Sequence, residues 1–169
     1  MGVIFYIQFY KHASPYQKVI FSQTLYPNER ALIKKQLENE GGQSLEKITK
    51  AGISIGIDKI DINDDGIKDI LVFIEGTPFG GSHGYTTEIY SMNKSQIFNP
   101  HPFLNLWNIS TFGKMVVLNT THKGYRDIVF LGGDPNHFDR RLVYYCYWSG
   151  KGYGLSLRVP YHGQFGGFR

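Results

Sequence analysis

The sequence predicts a mainly β (α+β) fold: two related antiparallel β units with one N-terminal helix. Three observations predict it. Twelve Tyr, twelve Phe and twenty Gly among 169 residues are the vocabulary of strands joined by tight turns. Short apolar or aromatic runs follow one another from residue 53 onward, each bounded by turn residues. Helix signals, by contrast, gather in one place near the N-terminus.

The elements follow in chain order. Residues 3–10 are apolar apart from Gln8 and read as a strand: the run is far short of the roughly 20 residues a membrane span needs. It is also a poor signal peptide, with no basic region before it and no small-residue cleavage site after it. The opening Met1-Gly2 is compatible with a replaced leader, so the compartment stays open on this evidence. A helix is expected over 28–40, opened by Pro27 with Asn28 as cap, carried by Ala31, Leu32, Ile33 and Leu37, and stopped by Gly41-Gly42. A short helical turn is expected at 44–49. Strands are then expected at 53–60, 69–75, 85–92, 115–118, 127–131, 141–148 and 153–157.

This order suggests an internal repeat. Placing Gly66 over Gly124, a shift of 58, brings Asp69-Ile70-Leu71-Val72 over Asp127-Ile128-Val129-Phe130 and Lys68 over Arg126. The chain is accordingly read as one domain, 1–169, in three segments: an N-terminal strand and helix (1–52), a first β unit (53–112) and a degenerate second (113–169). A chain of this length buries about 70% of its unfolded surface, so a core forms without disulfides. The lone Cys146, set between tyrosines, is read as a buried strand residue.

Charge is unevenly spread. The net charge is +4, yet residues 53–112 carry three Lys/Arg against seven Asp/Glu, and five of those acids fall within 58–69. Such crowding costs repulsion unless a cation relieves it. The basic surplus elsewhere forms no cluster or motif of nucleic-acid recognition, so no nucleic-acid partner is expected.

The acidic stretch Asp61-Ile62-Asn63-Asp64-Asp65-Gly66-Ile67-Lys68-Asp69 places oxygen-bearing side chains at loop positions 1, 3, 5 and 9, with glycine at 6. Calcium takes six to eight hard oxygens, and alternate side chains of a tight loop turn inward to supply them. The expected ligands are Asp61, Asn63, Asp65, the Ile67 carbonyl and Asp69, with Asp64 facing solvent and Ca2+ as the cofactor. Position 12 is Val72, so the bidentate glutamate of an EF-hand is missing, and a buried strand follows at once.

At these residues the sequence resembles the D-x-N-x-D-G-x-x-D loop of FG-GAP and VCBS-type repeats, over about fifteen residues, 61–75. The resemblance implies a calcium loop joining two strands, with Asp69 opening the second. In the second unit Asn119, Thr121 and Lys123 stand where Asp61, Asn63 and Asp65 stand in the first, and a lysine there argues against a metal. Asp127 is expected to be held by Lys123 or Arg126 instead. More loosely, Gly124-Tyr125-Arg126-Asp127-Ile128 and the ending 147–153 look like small envelope proteins of Gram-negative bacteria, some of them immunity proteins against toxins delivered by neighbours, as in type VI secretion.

That resemblance implies a periplasmic or extracellular, non-enzymatic protein whose partner is a secreted toxin or cell-wall hydrolase. The expected contacts are two long loops, one with Gly80, Gly81, Ser82, His83 and Tyr85, the other with Asn136, His137, Phe138 and Asp139. A hydrolase built from Ser82, His83, His137 and Asp139 lacks any nucleophile elbow or metalloprotease spacing. The aromatic run Tyr144, Tyr145, Tyr147 and Trp148 is read as core on one face and partner surface on the other, which keeps a glycan-binding or adhesion module as the alternative.

Overall fold

A computed structural model describes residues 16–41, 52–76, 85–95, 98–100, 102, 104–105 and 111–161. They form β1 (Tyr16–Lys18), α1 (Pro27–Gly41), β2 (Ser54–Ile60), β3 (Asp69–Glu75), β4 (Tyr85–Tyr90), β5 (Leu104–Asn105), β6 (Thr111–His122), β7 (Tyr125–Asp134), β8 (His137–Trp148) and β9 (Tyr153–Pro160). The fold is mainly β: two antiparallel sheets, of order β2-β3-β4-β5 and β1-β6-β7-β8-β9, and a single helix among the described residues. The expected strand at 3–10 and turn at 44–49 lie outside the described residues. Two compact units separate, Ile20–Gly113 and the remainder, so the segment read as 1–52 contributes to both. No helix among the described residues is long and apolar enough to cross a membrane.

In the unit Ile20–Gly113, β2, β3 and β4 form an antiparallel meander, with Ile57 opposite Val72 and Val72 opposite Glu88. Alternate residues of a strand share a face, so Ile55 and Ile57 line up with Ile70, Val72 and Ile74. The helix lays Ile33 and Leu37, one turn apart, onto that face, and all seven join Tyr90 and Met92 in one buried cluster. Asn28 is not the cap: the helix opens at Pro27, and the Tyr26 carbonyl takes the Arg30 N–H, which sets Asn28 inside the first turn. The Arg30 guanidinium donates to the carbonyls of Ser22, Leu25 and Ile55, and Lys59 pairs with Glu29 at 2.6 Å, so the first turn is tied directly to β2.

In the other unit β6 to β9 form a second meander, with β1 paired along β6. Lys123 and Gly124 both have positive φ, 51° and 85°, the signature of a two-residue type I′ hairpin. The second expected long loop is a correction: Asp134 pairs directly with His137, leaving only Pro135-Asn136 as the turn, closed by the Asn136 N–H on the Asp134 carboxylate. The strands on either side run longer than expected for the same reason. Tyr144 and Tyr145 are neighbours and both buried, so β8 is covered on both faces there, and Cys146 beside them is wholly buried. Burial pushes the Cys146 thiol up to about 12, which leaves it inert.

Two glycines test this packing. A Cβ added at Gly56 in β2 meets the Phe21 Cβ at 2.8 Å, whereas one added at Gly154 in β9 meets nothing. Gly56→Ala is predicted to cost about 1–3 kcal/mol in urea unfolding. Gly154→Ala is predicted to stay within about 0.5 kcal/mol of the parent.

Candidate metal centre

The loop between β2 and β3 is built on Asp69, the first residue of β3. Its side chain is 1% exposed, and its two carboxylate oxygens accept the N–H of Ile62 at 3.3 Å and of Met92 at 3.2 Å. Ile62, the second loop residue, is itself wholly buried. One carboxylate therefore ties the start of the loop to the chain just after β4. The loop turns above it at Asp64 and Gly66, with φ of 56° and 84°, and Asp64 is exposed as expected.

The remaining polar side chains organise the turn. Asp61 accepts the N–H of Gly66 at 2.8 Å and of Asn63 at 3.3 Å; Asn63 accepts that of Asp65 at 3.3 Å; Asp65 accepts that of Ile67 at 2.8 Å. The Asn63 side-chain amide donates to Asp65 at 3.1 Å. Among the described residues no three His, Cys, Asp or Glu side chains converge as they do around a bound ion. The five expected ligands are thus brought into one short loop, with their carboxylates turned onto loop N–H groups rather than onto a common point.

The donor chemistry fits a hard cation. Asp61, Asn63, Asp65, Asp69 and the Ile67 carbonyl offer oxygen alone. Burial pushes the Asp69 carboxyl up to about 6; the N–H groups of Met92 and Ile62 work against that rise, and the charges of Asp65 and Asp61 add to it. Among the described residues no Lys or Arg pairs with Asp61, Asp65 or Asp69. A divalent cation would supply the missing positive charge there, with Asp69 as the buried anchor.

Asp127, the third residue of β7, which the expected repeat sets over Asp69, is satisfied differently. It is wholly buried, and its carboxylate accepts from the Thr120 hydroxyl at 2.5 Å, from the Tyr145 hydroxyl, and from His122 Nδ1 at 2.6 Å. The expectation of Lys123 or Arg126 in this role is corrected: the Lys123 ammonium donates to the Ser149 carbonyl at 2.6 Å, because the type I′ turn carries it away from β7. Thr120, His122 and Tyr145 were missed by sequence reasoning. Thr120 and His122, two apart on one strand, were the available signal.

Of the expected partner residues, Gly80, Gly81, Ser82 and His83 lie outside the described residues, and Tyr85 opens β4. Asn136 is in the two-residue turn, His137 and Phe138 open β8, and His137 and Asp139 are exposed. Comparison with protein-family models, curated proteins and solved structures finds no match.

The Asp69 environment predicts a pH dependence. In chelator, the folded chain keeps the Asp69 proton up to about pH 6, while an unfolded carboxyl loses it near 3.8. Between these values the folded state binds more protons, so stability is highest below the lower value and falls as pH rises, by up to about 3 kcal/mol. Asp69→Asn should flatten that slope in urea titrations across the window. A slope of the opposite sign would contradict the assignment.

Proposed function

We propose that this chain is a calcium-organised, non-enzymatic protein of the bacterial envelope that binds and inhibits a protein partner, most directly as an immunity protein against a secreted toxin or cell-wall hydrolase. The observation that carries the calcium reading is the buried Asp69 carboxylate, whose ionisation is opposed by burial and by Asp61 and Asp65, with no Lys or Arg paired to any of these three among the described residues. A cation that binds only the folded loop stabilises the fold by mass action, by about 2.7 kcal/mol at 100 times its dissociation constant. Weak isolated calcium sites fill where free calcium is high, which favours the periplasm or the exterior.

The two meanders are taken as related units, each with a buried aspartate near the start of an inner strand, Asp69 as the first residue of β3 and Asp127 as the third of β7. On this reading the first unit kept the FG-GAP/VCBS-type calcium loop and the second replaced it by a two-residue turn. The glycan-binding or adhesion alternative draws on the half-buried Tyr125, Trp148 and Tyr153, whose rings pack together.

Asp65→Ala is predicted to abolish the difference in melting temperature between calcium and chelator, while Asp64→Ala keeps most of it. Equal behaviour of the two variants would sink the ligand assignment. The inhibitory role is tested by co-expressing the chain with the product of each adjacent reading frame that is toxic by itself: survival is expected, and specific binding of an oligosaccharide with no protection would favour the glycan-binding reading.

A further inference from the structure

The turns β6–β7 and β8–β9 meet at one end of the five-stranded sheet, where Lys123 reaches the Ser149 carbonyl and the Tyr125 ring stacks on Trp148 at 4.3 Å. Tyr153 meets Trp148 edge-on at 5.5 Å, and its hydroxyl donates to the Arg126 carbonyl at 2.6 Å. These three rings are only half-buried, an unusual load for a hairpin end, which ordinarily carries small polar residues. Beside them His122 is 50% exposed at its side chain, held at Nδ1 by the buried Asp127, with the Tyr147 ring 5.3 Å away.

The exposed charge here has one sign, since the carboxylate beneath it, Asp127, is wholly buried under Thr120, His122 and Tyr145. Residues 119–126 and 147–153 hold Lys123, Arg126, Lys151 and His122 and contain no Asp or Glu. Lys123, Lys151 and His122 are exposed. The end therefore combines the residues that dominate protein interfaces, Trp and Tyr, with fixed cationic or hydrogen-bonding side chains. Much of it is ordered beforehand: His122 by Asp127, Lys123 by Ser149, and the rings by one another. Side chains already fixed lose little entropy on binding.

We propose that this end of the sheet, centred on Trp148, His122 and Lys123, is the docking surface for an acidic segment of the protein partner; this rests on the partner-binding reading above. Charge complementarity selects the occupant: an Asp/Glu-rich stretch is steered to a patch whose exposed charges, Lys123 and Lys151, are both positive and whose one carboxylate, Asp127, is buried. A single-stranded nucleic acid fits less well, since bases need free ring faces and the stack of Tyr125 on Trp148 already takes one face of each. The expected contacts at 134–139 are not needed, because that turn lies at the opposite end of β7 and β8.

The test uses a fluorescent peptide alternating Asp with Tyr, the same peptide with Asn for Asp, and an oligothymidylate, each titrated against the whole chain. The acidic peptide should bind most tightly, weaken with added salt, and lose at least about tenfold in affinity to the Lys123→Glu/Lys151→Glu variant. Lys151→Glu alone, whose side chain makes none of the turn's hydrogen bonds, guards against misfolding of the double variant and should lose part of that affinity. Acidic-peptide binding that is undiminished in both folded variants, or absent from the wild type, overturns this surface but leaves the partner reading intact. Preference for the oligothymidylate overturns both.

Discussion

The Asp69 carboxylate is the contact on which the acidic loop and its sheet depend. It stands at the first position of β3, almost wholly out of water, and joins the Ile62 N–H on one side to the Met92 N–H on the other. Without these two acceptors, two buried backbone donors would be left unsatisfied, each at a cost of about 1–3 kcal/mol. Yet the same burial makes the charged carboxylate expensive, and Asp61 and Asp65 add like charge. The fold thus concentrates negative charge at a place where it is poorly solvated. A cation among these oxygens would relieve both costs at once, and on that ground the loop is proposed as a binding site and not as a polar turn.

Asp127 shows how the same problem is met with protein groups alone. Thr120, Tyr145 and His122 supply donors to both of its oxygens from the two neighbouring strands, and the turn before it is only Lys123-Gly124. A long oxygen-rich loop has no work to do there. Holding a buried carboxylate also holds its partners: His122 is set in one orientation beside Tyr147, next to the Trp148 cluster. The burial that stabilises the sheet thereby orders the side chains at its surface.

What could be read from the sequence was local. The helix, seven of the eight described strands beyond residue 53 and the loop 61–69 each carry their own signal: an apolar pair one turn apart, alternation between turn residues, and spaced oxygens followed by a buried run; the two-residue β5 is too short to carry one. β1 has three exposed residues and so no pattern of burial to betray it. Asp134-Pro135-Asn136 looks like the start of a long loop, because proline and Asx residues mark turns without stating their length. The partners of Asp127 were hidden for a different reason. Tyr145 lies 18 residues away across β8, and a cross-strand hydrogen bond leaves no spacing that a linear reading can detect.

The most direct measurement of the central claim is a calcium titration followed by backbone amide resonances. Gly66 donates to Asp61 and Met92 donates to Asp69, so both amides report on the carboxylates that would turn toward the ion. The account predicts that both resonances move together with those of Ile62 and Ile67, reach a plateau with one calcium per chain, and revert on chelation. Amides of the loop 61–69 and Met92 that stay fixed at millimolar calcium, the weak end of calcium sites, would contradict it.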